Sequence, residues 1–186
     1  MENKNNQDNT RQKYTLLIYT ENHVGLLNRI SIIFTRHKVN IESLNTSTAM
    51  TEGIHSFVIT INTTKDQAEH LRKLIEKQVE VLKAFLYDEN QVIAMGIALF
   101  KISTKGITAK NSLVDLIKNH SARIIALEPE FFVIEKTGTL DDIEDFSKQL
   151  KGYDVREFIQ SGRVIVTRPM GKLTDYLSDL EKQEEK

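Results

Sequence analysis

The chain has 186 residues, which is enough for one ordinary domain or two small ones. Its 25 Lys and Arg residues nearly balance 26 Asp and Glu residues. The formal net charge of −1 therefore provides no long-range field for nucleic acid or acidic membranes. Because there is no cysteine, a disulfide framework, a thiolate metal site and a cysteine nucleophile are excluded.

The apolar fraction of 40% is sufficient for a packed core, so wholesale disorder is not expected. The first ten residues, MENKNNQDNT, lack the apolar centre of a signal peptide. No run approaches the roughly 20 apolar residues needed to cross a bilayer. We therefore expect a cytoplasmic protein, with a disordered polar tail over residues 1–12 and a charged tail over residues 169–186.

The first half of the chain alternates strand-like and helix-like patterns. Runs rich in β-branched and aromatic residues predict strands at residues 14–20, 39–47, 54–62 and 79–87. Apolar residues spaced three and four apart predict two helices. The first helix carries Leu26, Leu27, Ile30, Ile33 and Phe34 on one face, and the second carries Ala68, Leu71, Leu74 and Ile75. The resulting order is β-α-β-β-α-β.

The same order recurs after a short linker predicted at residues 88–91. The predicted strands are residues 93–103, 122–127, 131–137 and 155–159, with a short extra strand at 164–167. The helices carry Leu113, Leu116 and Ile117, and Leu140, Ile143, Phe146 and Leu150.

Three residues mark the ends of the helices in the second half. Thr108 is a candidate N-cap for the earlier helix. Thr139, with Asp142 three residues on, predicts a partial capping box for the later one. We expect Gly152 to end that helix in the left-handed conformation.

This order predicts the α+β fold class, with two tandem ferredoxin-like (βαββαβ) domains at residues 13–88 and 92–168. In such a domain both helices pack on one face of an antiparallel sheet. Several strands are apolar on both faces, as in Leu16-Leu17-Ile18 and Phe57-Val58-Ile59. We therefore expect the outward face, away from the helices, to be buried against a partner, which indicates an oligomer.

The titratable residues form no recognisable catalytic or metal-binding motif. Five histidines stand at positions 23, 37, 55, 70 and 120 without ligand spacing. His37 and His120 lie near predicted helix ends, where a protonated imidazole favours the helix dipole. Asp141 and Asp142 fall in a first helical turn, and we interpret them as structural.

An RNA-binding fold shares the βαββαβ order. Its third strand needs stacking aromatic rings together with basic residues and glycine. Here that strand reads IHSFVITIN, with one aromatic ring and no Arg, Lys or Gly. RNA binding is therefore disfavoured.

The segment ENHVGLL, residues 21–27, joins the first predicted strand to the first helix. The first N–H groups of a helix lack intrahelical partners and suit an anion. Gly25 allows a ligand to approach the backbone, and Asn22 offers an amide that donates and accepts. The loop contains no Lys or Arg before Arg29. This pattern favours a zwitterion over a phosphate, so a free amino acid is a reasonable ligand. The alternative is an ordinary turn in which Asn22 is left-handed and Gly25 enters the helix.

Two motifs carry a family resemblance. A loop-and-helix pattern E-N-x-x-G-x-L-x-R runs from Glu21 to Arg29, and N-I-E-S-L stands at residues 40–44. Together they resemble the N-terminal ACT domain of the acetohydroxyacid (acetolactate) synthase small subunit. ACT domains in general share the first motif loosely, whereas the second is much more specific to this subunit. A weaker resemblance continues at Glu128-Pro129, Thr137-Gly138 and Ser161-Gly162-Arg163.

The resemblance implies a non-catalytic regulatory subunit. Its partner would be the catalytic large subunit, which would hold thiamine diphosphate, Mg and FAD, while this chain would hold no cofactor. It implies activation of that subunit, and feedback inhibition by valine or a related branched-chain amino acid. ACT domains would pair side by side as a homodimer with the effector between them. The effector residues that carry over are Asn22, Gly25 and Asn40, with the backbone of Leu26 and the side chain of Ile41 as neighbours. No catalytic or metal-binding residue is expected.

Two other functional classes remain open. A stand-alone amino-acid-sensing regulator built from ACT repeats would need a DNA-binding element, which short tails of balanced charge do not supply. A small ferredoxin-like enzyme would need a convergent set of titratable groups, which the sequence does not offer.

Overall fold

The chain divides into two units, each built on an antiparallel sheet. The computed structural model describes residues 10–105 and 110–171. The first unit ends at Ile93 and resumes at Ile165, and the second runs from Ala94 to Val164. The predicted tails therefore lie largely outside the described residues.

The first unit has the predicted β-α-β-β-α-β order. Its elements are β1 (Gln12–Glu21), α1 (Leu26–Arg36), β2 (Ile41–Thr48), β3 (Ile54–Thr63), α2 (Lys65–Glu76) and β4 (Val81–Asp88). The four strands form one sheet in the order β2-β3-β1-β4, with all neighbours antiparallel. This is the ferredoxin-like order predicted from the sequence.

The core of the first unit lies between its sheet and its two helices. Along β1, alternate residues face the helices, and Leu16 pairs with Ile59 in β3. Both side chains are fully buried. On α1, Leu26, Ile30 and Phe34 are spaced four apart and are all at most 2% exposed. The apolar face of the sheet and the apolar faces of the helices therefore pack together in one layer.

The second unit repeats the order. Its elements are β5 (Val92–Ser103), α3 (Lys110–Asn119), β6 (Arg123–Leu127), β7 (Phe131–Gly138), α4 (Leu140–Gln149), β8 (Val155–Gln160) and β9 (Val164–Thr167). The sheet order is β6-β7-β5-β8, and β9 also pairs with β5. Its core contains Phe100, Ile134 and Phe146, each at most 1% exposed.

The structure confirms one predicted helix end and corrects another. The Thr139 hydroxyl accepts a hydrogen bond from the N–H of Asp142, and the Asp142 carboxylate accepts one from the N–H of Thr139. This is the predicted capping box. Gly152, in contrast, does not adopt the left-handed conformation, so that prediction is wrong. The chain instead tightens into a 3-10 turn at Leu150–Gly152, whose N–H groups satisfy the last helical carbonyls.

The predicted linker is also an ordered turn. Residues Glu89–Gln91 form a 3-10 turn, and the Asp88 side chain caps it. The candidate N-cap Thr108 lies outside the described residues. Among the helices that the structure describes, none is long and apolar enough to cross a membrane.

Part of the outward face of the first sheet is buried within a single chain. Thr15 and Thr60 are paired between β1 and β3 and are 0% and 1% exposed, and Val58 is 8% exposed. The returning chain at residues 167–171 lines a small cavity together with Tyr19 on this face. Part of the predicted burial is therefore present within one chain, and the partner expected on this face stays a prediction. The sequence did not reveal that the chain returns here.

Candidate functional site

The loop between β1 and α1, residues 22–25, begins helix α1 through glycine. Gly25 is the N-cap, and its φ of +85° places it in the left-handed region. A side chain there would be strained, so glycine suits the position. Asn22 has no positive φ. The ordinary-turn alternative therefore correctly describes Gly25 but gives no backbone reason for asparagine at position 22.

The start of α1 offers free N–H donors. The N–H of Arg29 bonds to the carbonyl of Gly25 at 3.2 Å, and that of Leu26 makes a long contact of 3.4 Å to His23. Within the described part of the chain, the N–H groups of Leu27 and Asn28 have no acceptor. They carry the positive end of the helix dipole and can receive a carboxylate.

Space is available beside these donors. A Cβ added to Gly25 would meet no other atom within 4 Å. The Leu26 side chain points into the core and is 2% exposed, so only its backbone is available to a ligand. Asn22 is exposed. The loop therefore presents free backbone N–H groups, one exposed amide and open space, and its binding of an effector stays a prediction.

The charged groups around the loop are already engaged with one another. The guanidinium of Arg29 lies 2.5 Å from the Glu80 carboxylate, and His23 lies 3.2 Å from Glu21. The hydrogen bond from Arg29 lowers the pKa of Glu80 below its ordinary value. Because Arg29 is neutralised by Glu80, the loop has little excess positive charge for a phosphate. This favours a ligand that carries both charges.

Asn40 and Ile41 lie at the opposite end of the same sheet. Glu21, which precedes the loop, pairs with Ile54, whereas Ile41 pairs with Ile61. Ile54 and Ile61 are seven residues apart along β3, which corresponds to about 23 Å. One chain therefore brings Asn22, Gly25 and Leu26 together but does not bring Asn40 and Ile41 to them.

Exposed apolar residues border the loop, and sequence reasoning did not single them out for this role. Val24 in the loop and Met50 in the β2–β3 turn are fully exposed. On α1, Leu27 is 43% and Ile32 is 39% exposed. An apolar side chain in a predicted loop, as at Val24, was the available signal.

The histidine at the end of the first helix contacts a second histidine. His37 follows α1, as predicted, and its ring packs edge-on against that of His70 at 4.9 Å. Within residues 10–105 and 110–171, no three His, Cys, Asp or Glu side chains are placed to hold a metal ion.

Two family models match consecutive parts of the chain. Residues 16–83 match the AHAS small subunit-like ACT domain, and residues 96–169 match the model for the small subunit of acetolactate synthase. The first match covers the loop and the start of β2, where both sequence motifs stand.

Similar proteins agree with these models. The acetolactate synthase small subunit of Mycolicibacterium smegmatis is 27% identical over 155 residues, covering 83% of this chain and 91% of that protein. The acetolactate synthase small subunit of Bacillus subtilis is 27% identical over 158 residues, covering 84% and 91%. The crystal structure of the small subunit from Thermotoga maritima has the same fold, with a TM-score of 0.78 at 24% identity, covering 86% of this chain and 99% of that one. The chain belongs to the acetolactate synthase small-subunit family.

Proposed function

We propose that this chain is a non-catalytic regulatory subunit of acetolactate synthase in branched-chain amino acid biosynthesis. It binds the catalytic large subunit in the cytoplasm, raises its activity and mediates feedback inhibition by valine or a related branched-chain amino acid. Thiamine diphosphate, Mg and FAD belong to the catalytic partner. The family membership supports the proposed binding of the catalytic subunit, and the geometry of the loop supports the proposed binding of an amino-acid effector.

The effector is bound as a zwitterion at the start of α1. Its carboxylate accepts hydrogen bonds from the N–H groups of Leu27 and Asn28, which lack acceptors in the described chain. Its ammonium group donates to the amide oxygen of Asn22. The open space at Gly25 admits the ligand to the backbone.

A second copy of the chain completes the site. Among the described strands, β2 lies at the edge of the sheet, and an edge strand is a template for pairing with another chain. In a two-fold pair of antiparallel β2 strands, the start of one strand lies beside the end of the other. The end of β2 adjoins the turn whose Gly53 carbonyl accepts the N–H of Asn22 at 3.2 Å. Asn40 and Ile41 of one copy thereby reach the loop of the other.

The exposed apolar residues support this pairing. Leu27 and Ile32 on α1, with Val24 and Met50 in the adjoining turns, would be removed from water beside the β2 edge. Some of them would form an apolar wall for an aliphatic side chain. The single observation that carries the dimeric site is the separation of Asn22 and Asn40 to opposite ends of one sheet.

The inhibition follows from differential binding. The effector prefers one arrangement of the paired ACT domains, and that arrangement activates the catalytic subunit less well. If that arrangement also binds the catalytic subunit less well, linkage requires the catalytic subunit to weaken effector binding by the same factor.

Activity measurements test the regulatory role. The catalytic subunit should co-purify with this chain, and its activity should rise when the chain is added. Titration of valine, leucine and isoleucine should then lower the activity. Absence of binding and of stimulation would contradict the proposal and favour a stand-alone amino-acid sensor.

Mixed dimers test the shared site. Gly25→Asp disables the loop half-site and Asn40→Ala weakens the other half, so each variant alone should bind the effector less tightly than the parent. A dimer that contains one copy of each variant has two sites, and one of them combines an intact loop with an intact Asn40. Random mixing should restore about a quarter of the sites. No recovery in calorimetric stoichiometry would contradict a site shared between copies.

A further inference from the structure

One residue outside the effector loop contacts both of its ends. Glu80 immediately precedes β4, and its backbone carbonyl accepts the N–H of Glu21 at 3.0 Å, where β1 ends. Its carboxylate accepts a hydrogen bond from the guanidinium of Arg29 at 2.5 Å, in the first turns of α1. The four loop residues 22–25 therefore lie between two points that are both fixed to Glu80.

The loop is also held from its other side. The N–H of Asn22 bonds to the carbonyl of Gly53 in the β2–β3 turn at 3.2 Å. The loop is thus hydrogen-bonded to two turns, which precede β3 and β4, the two strands that neighbour β1 in the sheet. Of these two turns, the one that holds Glu80 makes its contact partly through charged side chains. This side-chain contact is therefore the one that a substitution can remove without altering the backbone.

The Arg29–Glu80 pair is partly shielded from water. The Glu80 side chain is 15% exposed and that of Arg29 is 43% exposed. The hydrogen bond from Arg29 holds the pKa of the Glu80 carboxyl below its ordinary value, so the pair remains charged at neutral pH. His23, in the loop itself, also acts on this carboxyl as a positive charge when protonated.

The effector is received by backbone groups whose positions depend on the loop. A loop that is already ordered loses less entropy when the ligand binds, and its donors stay aligned. Arg29 belongs to the sequence motif, yet its side chain is directed to Glu80. Its contribution to the effector is therefore made through the loop.

We propose that Glu80, through Arg29, is a positioning residue that holds the β1–α1 loop in the shape that binds the effector. Glu80 does not touch the effector. This inference rests on the proposed function, since it concerns the same effector site. It assigns to the start of β4 a part in effector recognition that the sequence motifs do not indicate.

Calorimetric titration of the full-length chain with valine, leucine and isoleucine tests the inference. Glu80→Gln keeps the size and backbone of the residue but removes the charge. We expect effector binding about fivefold weaker, with little change in the thermal midpoint, because a partly exposed ion pair contributes little to global stability. Glu144→Gln is the matched control, because Glu144 pairs with Lys148 at 2.8 Å in the second unit. It should bind the effector as the parent does.

Charge reversal separates positioning from a merely structural role. Arg29→Glu alone should weaken binding, and the double variant with Arg29→Glu and Glu80→Arg should recover most of the affinity. Equal affinity of parent and Glu80→Gln would overturn the inference, as would failure of the reversed pair to recover affinity while the chain remains folded. If the parent itself binds none of the three amino acids, the proposed function fails and the inference fails with it.

Discussion

The two sheets share one topology but differ on their outward faces. In the first sheet, Thr15, Thr60 and Val58 are at most 8% exposed on the side away from the helices. In the second, Ile97, Leu99 and Ile159 are respectively 41%, 37% and 59% exposed on the equivalent side. Polar threonines are thus buried in one unit, while isoleucine and leucine remain exposed in the other.

This difference shows that the βαββαβ repeat determines the burial of the inward face alone. The inward face must be apolar because the unit's own helices cover it. The outward face depends on whatever else reaches it, and in the first unit the chain returns from Ile165 onward. The second unit leaves an apolar surface, but nothing in the structure indicates which molecule covers it.

The largest expected effect compares the two outward faces directly. Val58→Asp should destabilise the chain by about 3 kcal/mol or more, because it places an unpaired charge at a buried position. Ile159→Asp should cost less than about 1 kcal/mol, because its side chain is 59% exposed. Urea unfolding of both variants measures this. Equal losses would show that the faces do not differ energetically.

Effector recognition should depend on the first unit alone. Gly25→Asp should weaken effector binding at least about tenfold, because its carboxylate competes for the helix N–H groups and repels the ligand. Gly25→Asn accepts the same left-handed φ without the charge and should retain more affinity. Gly152→Asp in the second unit, where a Cβ also meets open space, should leave binding unchanged. Calorimetry with the three branched-chain amino acids provides the readout, and equal binding by all variants would refute the assignment.

A smaller effect is expected at the other half of the proposed site. Asn40→Ala should weaken the binding free energy of the effector by about 1 kcal/mol, because a polar group of the ligand loses its hydrogen-bond partner. Asn62→Ala, at an exposed position on neighbouring β3, is the control. Inhibition curves for the reconstituted synthase measure both. Unchanged inhibition in Asn40→Ala would remove this residue from the site.

The smallest effect concerns how the two units cap their helices. Hydrogen bonds from the Thr139 side chain and N–H lower the pKa of Asp142 in the folded state. The stabilisation from Asp142 is therefore fully present above its unfolded pKa of about 3.9 and is lost as pH falls through the lower folded value. The stability difference between parent and Asp142→Asn should disappear at low pH.

The equivalent helix of the first unit provides the control. Thr64 caps α2, and the residue three positions on is Gln67, whose amide side chain does not titrate. That amide donates a hydrogen bond to the carbonyl of His37. Thr64→Ala should therefore cost about 1 kcal/mol with no such acid dependence. Urea midpoints at neutral and acid pH compare the two caps. A difference for Asp142→Asn that persists in acid would contradict the assigned linkage.

Sequence reasoning predicted the order of the described strands and α-helices, because the helices and the central strands have one apolar face and the remaining strands are rich in β-branched residues. It also predicted the Thr139 capping box, which depends on residues three apart. It was wrong about Gly152, because a buried Leu150 and a 3-10 turn end the helix without a left-handed residue. The tertiary context thus overrode a local preference.

The conformation of the β1–α1 loop was partly predictable for the same reason. Gly25 and the helix start are local features, and the structure places both as expected. Neither the Glu80 contact nor the distance from Asn22 to Asn40 could be predicted by spacing. The former joins residues 51 positions apart, and the latter depends on the strand register.

The sequence by itself determined the βαββαβ repeat, the family motifs and the chemistry of the β1–α1 loop, since each rests on periodicity or on neighbouring residues. The tertiary structure was needed to show that Thr15, Thr60 and Val58 on the outward face of the first sheet are buried, whereas Ile97, Leu99 and Ile159 on that of the second are exposed. It also decided that Asn22 and Asn40 lie at opposite ends of one sheet. These features depend on which distant segments meet, and strand pairing sets those contacts through register rather than through local preference.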